Sequence, residues 1–187
     1  MDFSFSEDQT AIRSLANQIF GDRTTDEFLL SFDRSGDVYD DDLWATLAEQ
    51  GLLGCTISDE FGGTDLGFTE LCLILEEQGR RLSPLPLFSS LVLGVLPISE
   101  FGTALQKKKY LSPLASGNLK LTAAISEIGM SQAIAGQVNA TRKGDNWLLS
   151  GELACVPDCM VADAILVPTN SDGVQTVFIV DRKALGV

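Results

Sequence analysis

With 187 residues, 45% of them hydrophobic, the chain is long enough for one large or two small globular domains, and its 26 acidic against 13 basic side chains leave a net charge of -13. That charge argues against nucleic acid and anionic membrane as partners, because every phosphate contact would form against a repulsive field. There is no histidine to complete a zinc set with the four cysteines, so no metal site is expected.

Ser6-Glu-Asp-Gln9 has the form of a capping box, and Ile12, Leu15, Ile19 and Phe20 follow at helical spacing until Gly21, which suits a helix end. Thr24 with Glu27 offers a cap for a second helix carrying Phe28, Leu29 and Phe32. The acidic run Asp40-Asp-Asp42 stands where a helix N-terminus favours negative charge, ahead of Leu43, Trp44, Leu47 and Ala48, with Gly51 closing the third helix. Three consecutive carboxylates point in different directions, so capping is expected of them and acid-base chemistry is not.

Gly54, Gly62, Gly63 and Gly67 then turn the chain repeatedly between the apolar anchors Leu53, Ile57, Phe61 and Leu66. No Walker lysine and no G-x-G-x-x-G accompanies these glycines, so they read as a packed connection. Phe68, Leu71, Cys72, Leu75, Gly79 and Leu82 mark a fourth helix, and Leu73 with Ile74 widens its apolar surface until more than one side must be buried. Pro84 and Pro86 separate it from an apolar helix, Leu87 to Leu96, which is too short before Pro97 to cross a bilayer. Thr103 to Gln106 caps a last helix that stops in the turn Ser112 to Gly117, with Lys107, Lys108 and Lys109 placed to offset its dipole.

From Leu119 the pattern becomes that of strands: Leu119 to Ser126, then a hairpin of Val138 to Arg142 with Trp147 to Ser150, then another of Ala162 to Val167 with Val174 to Val180. The expected fold is α+β, an all-α helical domain over residues 1–117 followed by a small antiparallel β-sheet or open-barrel domain over 118–187. Four or five strands leave an exposed edge that further chain or a partner should cover, and a mean hydropathy of +0.17 points the same way, to an oligomer. With no secretory leader in view, Cys155 and Cys159 read as ordinary buried thiols of a reduced, cytoplasmic protein. The first strand opens into Ser126, Glu127, Gly129, Ser131 and Gln132, small and polar residues that let a backbone approach a flat polar ligand.

The pieces Met1-Asp-Phe-Ser-Phe-Ser-Glu-Asp-Gln9, Leu43-Trp-Ala-Thr-Leu-Ala-Glu-Gln-Gly-Leu-Leu-Gly54, Glu60-Phe-Gly-Gly63 and Leu75-Glu-Glu-Gln-Gly-Arg80 come in that order. They are followed by Tyr110-Leu111 with Leu114-Ala-Ser-Gly117, by Ala124-Ile-Ser-Glu127, and by Gly144-Asp145 with Ser150-Gly151. In this order they resemble the acyl-CoA dehydrogenase family over the whole chain. The resemblance implies the family's N-terminal helical domain and part of its middle β domain, with no counterpart here of its C-terminal four-helix domain. It also implies an oxidoreductase of fatty acid or lipid catabolism. A carboxylate removes the α-proton of an acyl-CoA thioester while the β-hydrogen leaves as hydride to FAD. That carboxylate belongs to the C-terminal helices, so no catalytic residue is assigned in this chain. The implied partners are the acyl-CoA substrate and related subunits in a homo- or hetero-oligomer.

The resemblance carries six positions toward the flavin. Ser126 stands for the family's Thr before Glu, whose hydroxyl and backbone meet the flavin's pyrimidine end, and Ile125 for the apolar residue before it. Ser131 and Gln132 stand where the family has Gly-Ser, so a longer amide replaces the serine near the thioester carbonyl. Cys155-Val156-Pro157 aligns with the family's Trp-Ile-Thr, so the aromatic ring is replaced at Cys155, and Pro157 has neither hydroxyl nor N–H to offer. Losing two hydrogen bonds and one aromatic contact would weaken FAD by roughly a hundredfold. Two readings follow: a flavoprotein subunit or fragment that needs C-terminal helices or a partner, and a non-catalytic structural subunit of a hetero-oligomeric dehydrogenase with a degraded flavin site.

Overall fold

The computed structural model describes residues 4–125, 138–171 and 173–187. Helix α1 (Glu7–Arg23) begins at the expected capping box, with Gln9 N–H donating to Ser6 Oγ and Ser6 N–H to Gln9 Oε1. It runs past Gly21, which is no cap: the missing side chain leaves room for the Arg81 guanidinium, 3.2 Å from where a Cβ would stand. The extra residues bring Arg23 to Asp40. Helix α2 (Asp26–Ser35) is capped by Thr25, one residue later than expected, because Thr24 is buried and bonded to Ser83 Oγ at 2.8 Å. Asp40 caps α3 (Asp41–Glu49), accepting from Leu43 N–H, which is the role its acidic run suggested.

Helix α4 (Phe68–Arg81) buries Leu71, Leu73 and Ile74, and with them Glu77. The Glu77 carboxylate accepts from Asn17 Nδ2 at 2.7 Å and Arg13 Nε at 3.0 Å, both on α1, so the two helices meet across a closed polar seam. Burial alone would raise the carboxyl's pKa, but the bonds from Asn17 and Arg13 and the nearby Arg80 charge hold it below its ordinary 4.5. A depressed folded-state value means that stability present above pH 4.5 is lost as the pH falls through the lower folded value. Glu77→Gln should therefore lower stability at neutral pH and flatten the acid limb of a stability curve below the ordinary carboxyl value of 4.5. An unchanged acid limb would refute this linkage.

Beyond Pro86 the backbone forms a π-helix (Phe88–Val95) that runs straight into α5 (Leu96–Phe101), where a break at Pro97 was expected. The wider register fits the proline. Leu96 N–H reaches back five residues to Leu91 O, and Pro97, with no N–H to give, sits in the first turn of α5. Of the π-helix, Ser89, Ser90, Leu91, Leu93, Gly94 and Val95 are buried, which makes it the central element of the fold. Helix α6 (Ala104–Ala115) has the expected capping box but continues to Ala115, so Lys107–Lys109 lie toward its middle and its last turn holds no basic residue. The expected dipole role of these lysines fails for that reason.

The α+β class holds, and the five strands form a mixed sheet. β1 (Leu121–Ala123) pairs in parallel with β4 (Ala164–Ser171), Leu121 opposite Ala164. The two hairpins are antiparallel as expected: β2 (Val138–Lys143) with β3 (Asn146–Gly151), and β4 with β5 (Val174–Asp181). One parallel bridge, Asn139 to Asn170, joins β2 to β4. Among the described residues β1, β3 and β5 each have one strand partner, while β4 pairs with three strands. The halves share one core, in which Leu121, Ala123, Ala164 and Leu166 pack with Leu87, Leu91, Val95, Leu111 and Leu114. No helix among the described residues is long and apolar enough to cross a membrane.

Candidate functional site

The π-helix places β1, and β1 places one wall of a crevice. Leu121 to Ala124 are buried, Ala124 N–H still donates to Leu166 O at 2.8 Å, and Ile125 N–H turns back to Ala123 O at 2.9 Å. Ile125 is half-buried against the core. Ser126, Ser131 and Gln132 lie outside the described residues.

The other wall is the segment from Glu152 to Asp163, between β3 and β4. Its backbone is left-handed at two non-glycine positions, Cys155 (φ 55°) and Asp158 (φ 48°), and hydrogen bonds from β1, the π-helix, Lys120 and Arg182 fasten it. Pro157 O accepts from Thr122 Oγ1 at 2.7 Å, Asp158 Oδ2 accepts from Ser89 Oγ at 2.6 Å, and Asp163 donates its backbone N–H to Lys120 O at 2.8 Å while its Oδ2 accepts from Lys120 N–H at 2.8 Å. The structure thus brings the Pro157 carbonyl to Thr122 in the middle of β1, three residues before Ile125. Between the walls, on one face of the sheet, lies a cavity of about 310 Å³ lined by Ala124, Val138, Leu149, Val156, Ile165 and Val180 among others. Trp147 on β3 and Phe178 on β5 meet with centroids 5.3 Å apart.

Cys155 is exposed and Cys159 intermediate, so neither is the buried thiol expected. Cys155 lies at positive φ in the irregular stretch between β3 and β4 and is open to solvent there, a tertiary effect that sequence spacing does not report. Cys55, by contrast, is buried, and burial pushes its thiol up to about 12. No group of three or more metal-binding side chains occurs among the described residues.

The flavin that the resemblance implies needs hydrogen-bond partners along its polar edge. On the described walls the three candidate positions supply an alkyl chain at Ile125, a thiol at Cys155, and at Pro157 no N–H and a carbonyl already engaged by Thr122. Among the described residues, these side chains do not fit a flavin's polar edge. The crevice can receive a flat or apolar group, and among the described residues its lining has no acidic or basic side chain. A larger cavity of about 450 Å³ lies elsewhere, along the α1–α4 seam, and there Arg13, Asn17, Glu77 and Arg80 satisfy one another.

Sequence reasoning missed Ser89, Thr122 and Asp158. A signal existed for the first: Ser89-Ser90 is the one polar pair in the apolar run from Leu87 to Leu96. Thr122 and Asp158 gave none, since their partners lie 35 and 69 residues away.

Residues 6–118 match the family model described as acyl-CoA dehydrogenase, N-terminal domain. The acyl-CoA dehydrogenase FadE12 of Mycobacterium tuberculosis is 33% identical over 138 residues, which is 72% of this chain and 35% of that protein. A solved Tcur3481-Tcur3483 steroid ACAD variant is 39% identical with a TM-score of 0.87, over 96% of this chain and 49% of that one. The ChsE4-ChsE5 complex from Mycobacterium tuberculosis superposes with a TM-score of 0.89 at 29% identity, over 100% of this chain and 50% of that one. The chain therefore spans half or less of the length of these relatives. On the family-model match and the shared fold, this chain belongs to the acyl-CoA dehydrogenase family.

Proposed function

We propose that the chain serves an acyl-CoA dehydrogenase-type assembly that carries out α,β-dehydrogenation of an acyl-CoA thioester with FAD as hydride acceptor. Within it, residues 1–117 and 118–187 act as a helical and a β domain that build one side of the site. The α-proton base and the flavin's polar contacts come from the part of the family fold that these residues do not span, or from a related subunit. The observation that carries this reading is the crevice itself, whose described walls enclose a cavity of about 310 Å³ while the side chains at Cys155 and Pro157 offer no hydrogen-bond donor but a thiol. The kinship with a two-component complex supports the oligomeric part.

Purified with its related subunits, the assembly should show a flavin absorption band that bleaches when acyl-CoA is added. A colourless assembly without bleaching would remove the dehydrogenase reading and leave a structural subunit, a reading that the engaged Pro157 carbonyl already favours for this chain taken alone. A second measurement separates the two. Gln132→Ser with Cys155→Trp and Pro157→Thr returns the polar and aromatic groups, and FAD affinity should rise by at least about tenfold, the yield of one to two recovered hydrogen bonds. No gain would mean that these positions are not what limits flavin binding.

A further inference from the structure

Three hydroxyls beneath the crevice are fully buried: Ser89 and Ser90 on the π-helix and Thr122 on β1. Ser90 binds β1 reciprocally, its Oγ donating to Leu121 O at 3.1 Å and accepting from Leu121 N–H at 3.3 Å. Ser89 Oγ lies 2.6 Å from Asp158 Oδ2 and 3.0 Å from Pro86 O, so its single proton is shared, with the carboxylate closer. Thr122 Oγ1 donates to Pro157 O at 2.7 Å. The π-helix thus holds β1 through one serine and the far wall through its neighbour, and Thr122 closes the triangle from β1 to that wall.

We propose that Ser89 and Thr122 are positioning residues that latch the segment Cys155 to Asp158 against β1. Left-handed backbone at Cys155 and Asp158 is disfavoured for residues with a Cβ, so this segment keeps its course only where something holds it. Each latch lands where holding is needed. One takes the Asp158 side chain, the other the carbonyl of Pro157 between the two strained positions. Consecutive helical side chains diverge, so two adjacent serines can fix two separate segments only because both segments cross the same buried helix. The purpose of the segment rests on the function proposed above; that two hydroxyls hold it does not.

The test is amide hydrogen exchange, read by mass spectrometry on the full chain. Thr122→Val removes one hydroxyl at nearly constant volume, and Ser89→Ala removes the other. Each should speed exchange in peptides covering residues 153–162 by about tenfold, the factor set by one net hydrogen bond, while peptides of α1 to α4 stay unchanged. Thr122→Ser, which keeps the hydroxyl, should exchange like the unaltered chain. Unchanged exchange over 153–162 in both variants would overturn the proposal, and so would a Thr122→Ser variant as fast as Thr122→Val. If the latch variants respond as expected but the assembly is colourless and does not bleach, the latch stands and the flavin reading falls.

Discussion

Gly94→Ala should lower the unfolding free energy by about 3 kcal/mol, at the upper end of what overpacking costs. A Cβ at Gly94 would stand 2.3 Å from the Cβ of Leu121, whereas two carbons rest at about 3.5–4.0 Å. The neighbour has no rotamer to escape into, because a Cβ moves only with its backbone. That backbone is held by the Ser90 bonds to Leu121 and by the parallel register with Ala164. Relief requires the π-helix and β1 to separate, and that opens the shared core around Leu91, Val95 and Leu121.

The measurement is urea unfolding followed by tryptophan fluorescence, with Gly79→Ala as the control. Gly79 lies inside α4 with nothing within 4 Å of a built Cβ, so alanine there should be neutral or stabilising by up to about 1 kcal/mol. Adding Leu121→Gly to Gly94→Ala removes the opposing Cβ, and the pair should be less destabilised than the two single effects added together. A Gly94→Ala midpoint equal to that of the unaltered chain would show that the close approach is not there. The consequence reaches the crevice, because β1 carries Ala124 and Ile125 and any separation shifts them against Pro157.

Locally encoded features were legible in the sequence. The boxes at Ser6 and Thr103, the Asp40 cap and the two hairpins all depend on residues within a few positions of one another, and all formed where their chemistry pointed. The π-helix was hidden, because Leu87 to Leu96 is so uniformly apolar that no period distinguishes one register from another. The parallel pairing of Leu121 with Ala164 was hidden too, since strands 43 residues apart leave no turn signature between them. At the crevice, the alignment of motifs pointed to Ile125, Cys155 and Pro157, and the structure puts Pro157 beside β1. What fastens it, Thr122 and Ser89, depends on contacts that only the folded chain makes. The acidic run was half legible: its capping role could be read, but its pairing with Arg23 could not, because Gly21 looked like the end of the helix that carries Arg23.

That pairing makes Asp40 the second residue whose loss should be costly. Its side chain is 3% exposed and accepts from Arg23 Nε at 2.8 Å, Arg23 Nη2 at 3.0 Å and Leu43 N–H at 3.1 Å. Burial alone would raise its pKa, yet the bonds from Arg23 and Leu43 hold it below 3.8, so the carboxylate is charged in the fold. Asp40→Ala loses the helix cap, about 1 kcal/mol, together with a bidentate charged pair. Breaking a fully buried pair costs about 3–5 kcal/mol, but the Arg23 side chain is 40% exposed and returns to water, so the pair's share falls to about 1–2 kcal/mol. The total expected is about 2–3 kcal/mol. Asp40→Asn keeps a capping oxygen and should lose about half of that, whereas Asp42→Ala, whose carboxylate also meets Arg23 at 3.0 Å but is 84% exposed, should change stability by less than about 0.5 kcal/mol. The order of the three variants carries the argument, since charge count alone would make Asp40→Asn and Asp42→Ala equal. Asp40 N–H also donates to Pro84 O at 3.0 Å, so the same residue ties α1 and α3 to the strand of chain that enters the π-helix. Thermal unfolding of the three variants decides it, and an Asp42→Ala loss as large as that of Asp40→Asn would mean that burial is not what gives this pair its weight.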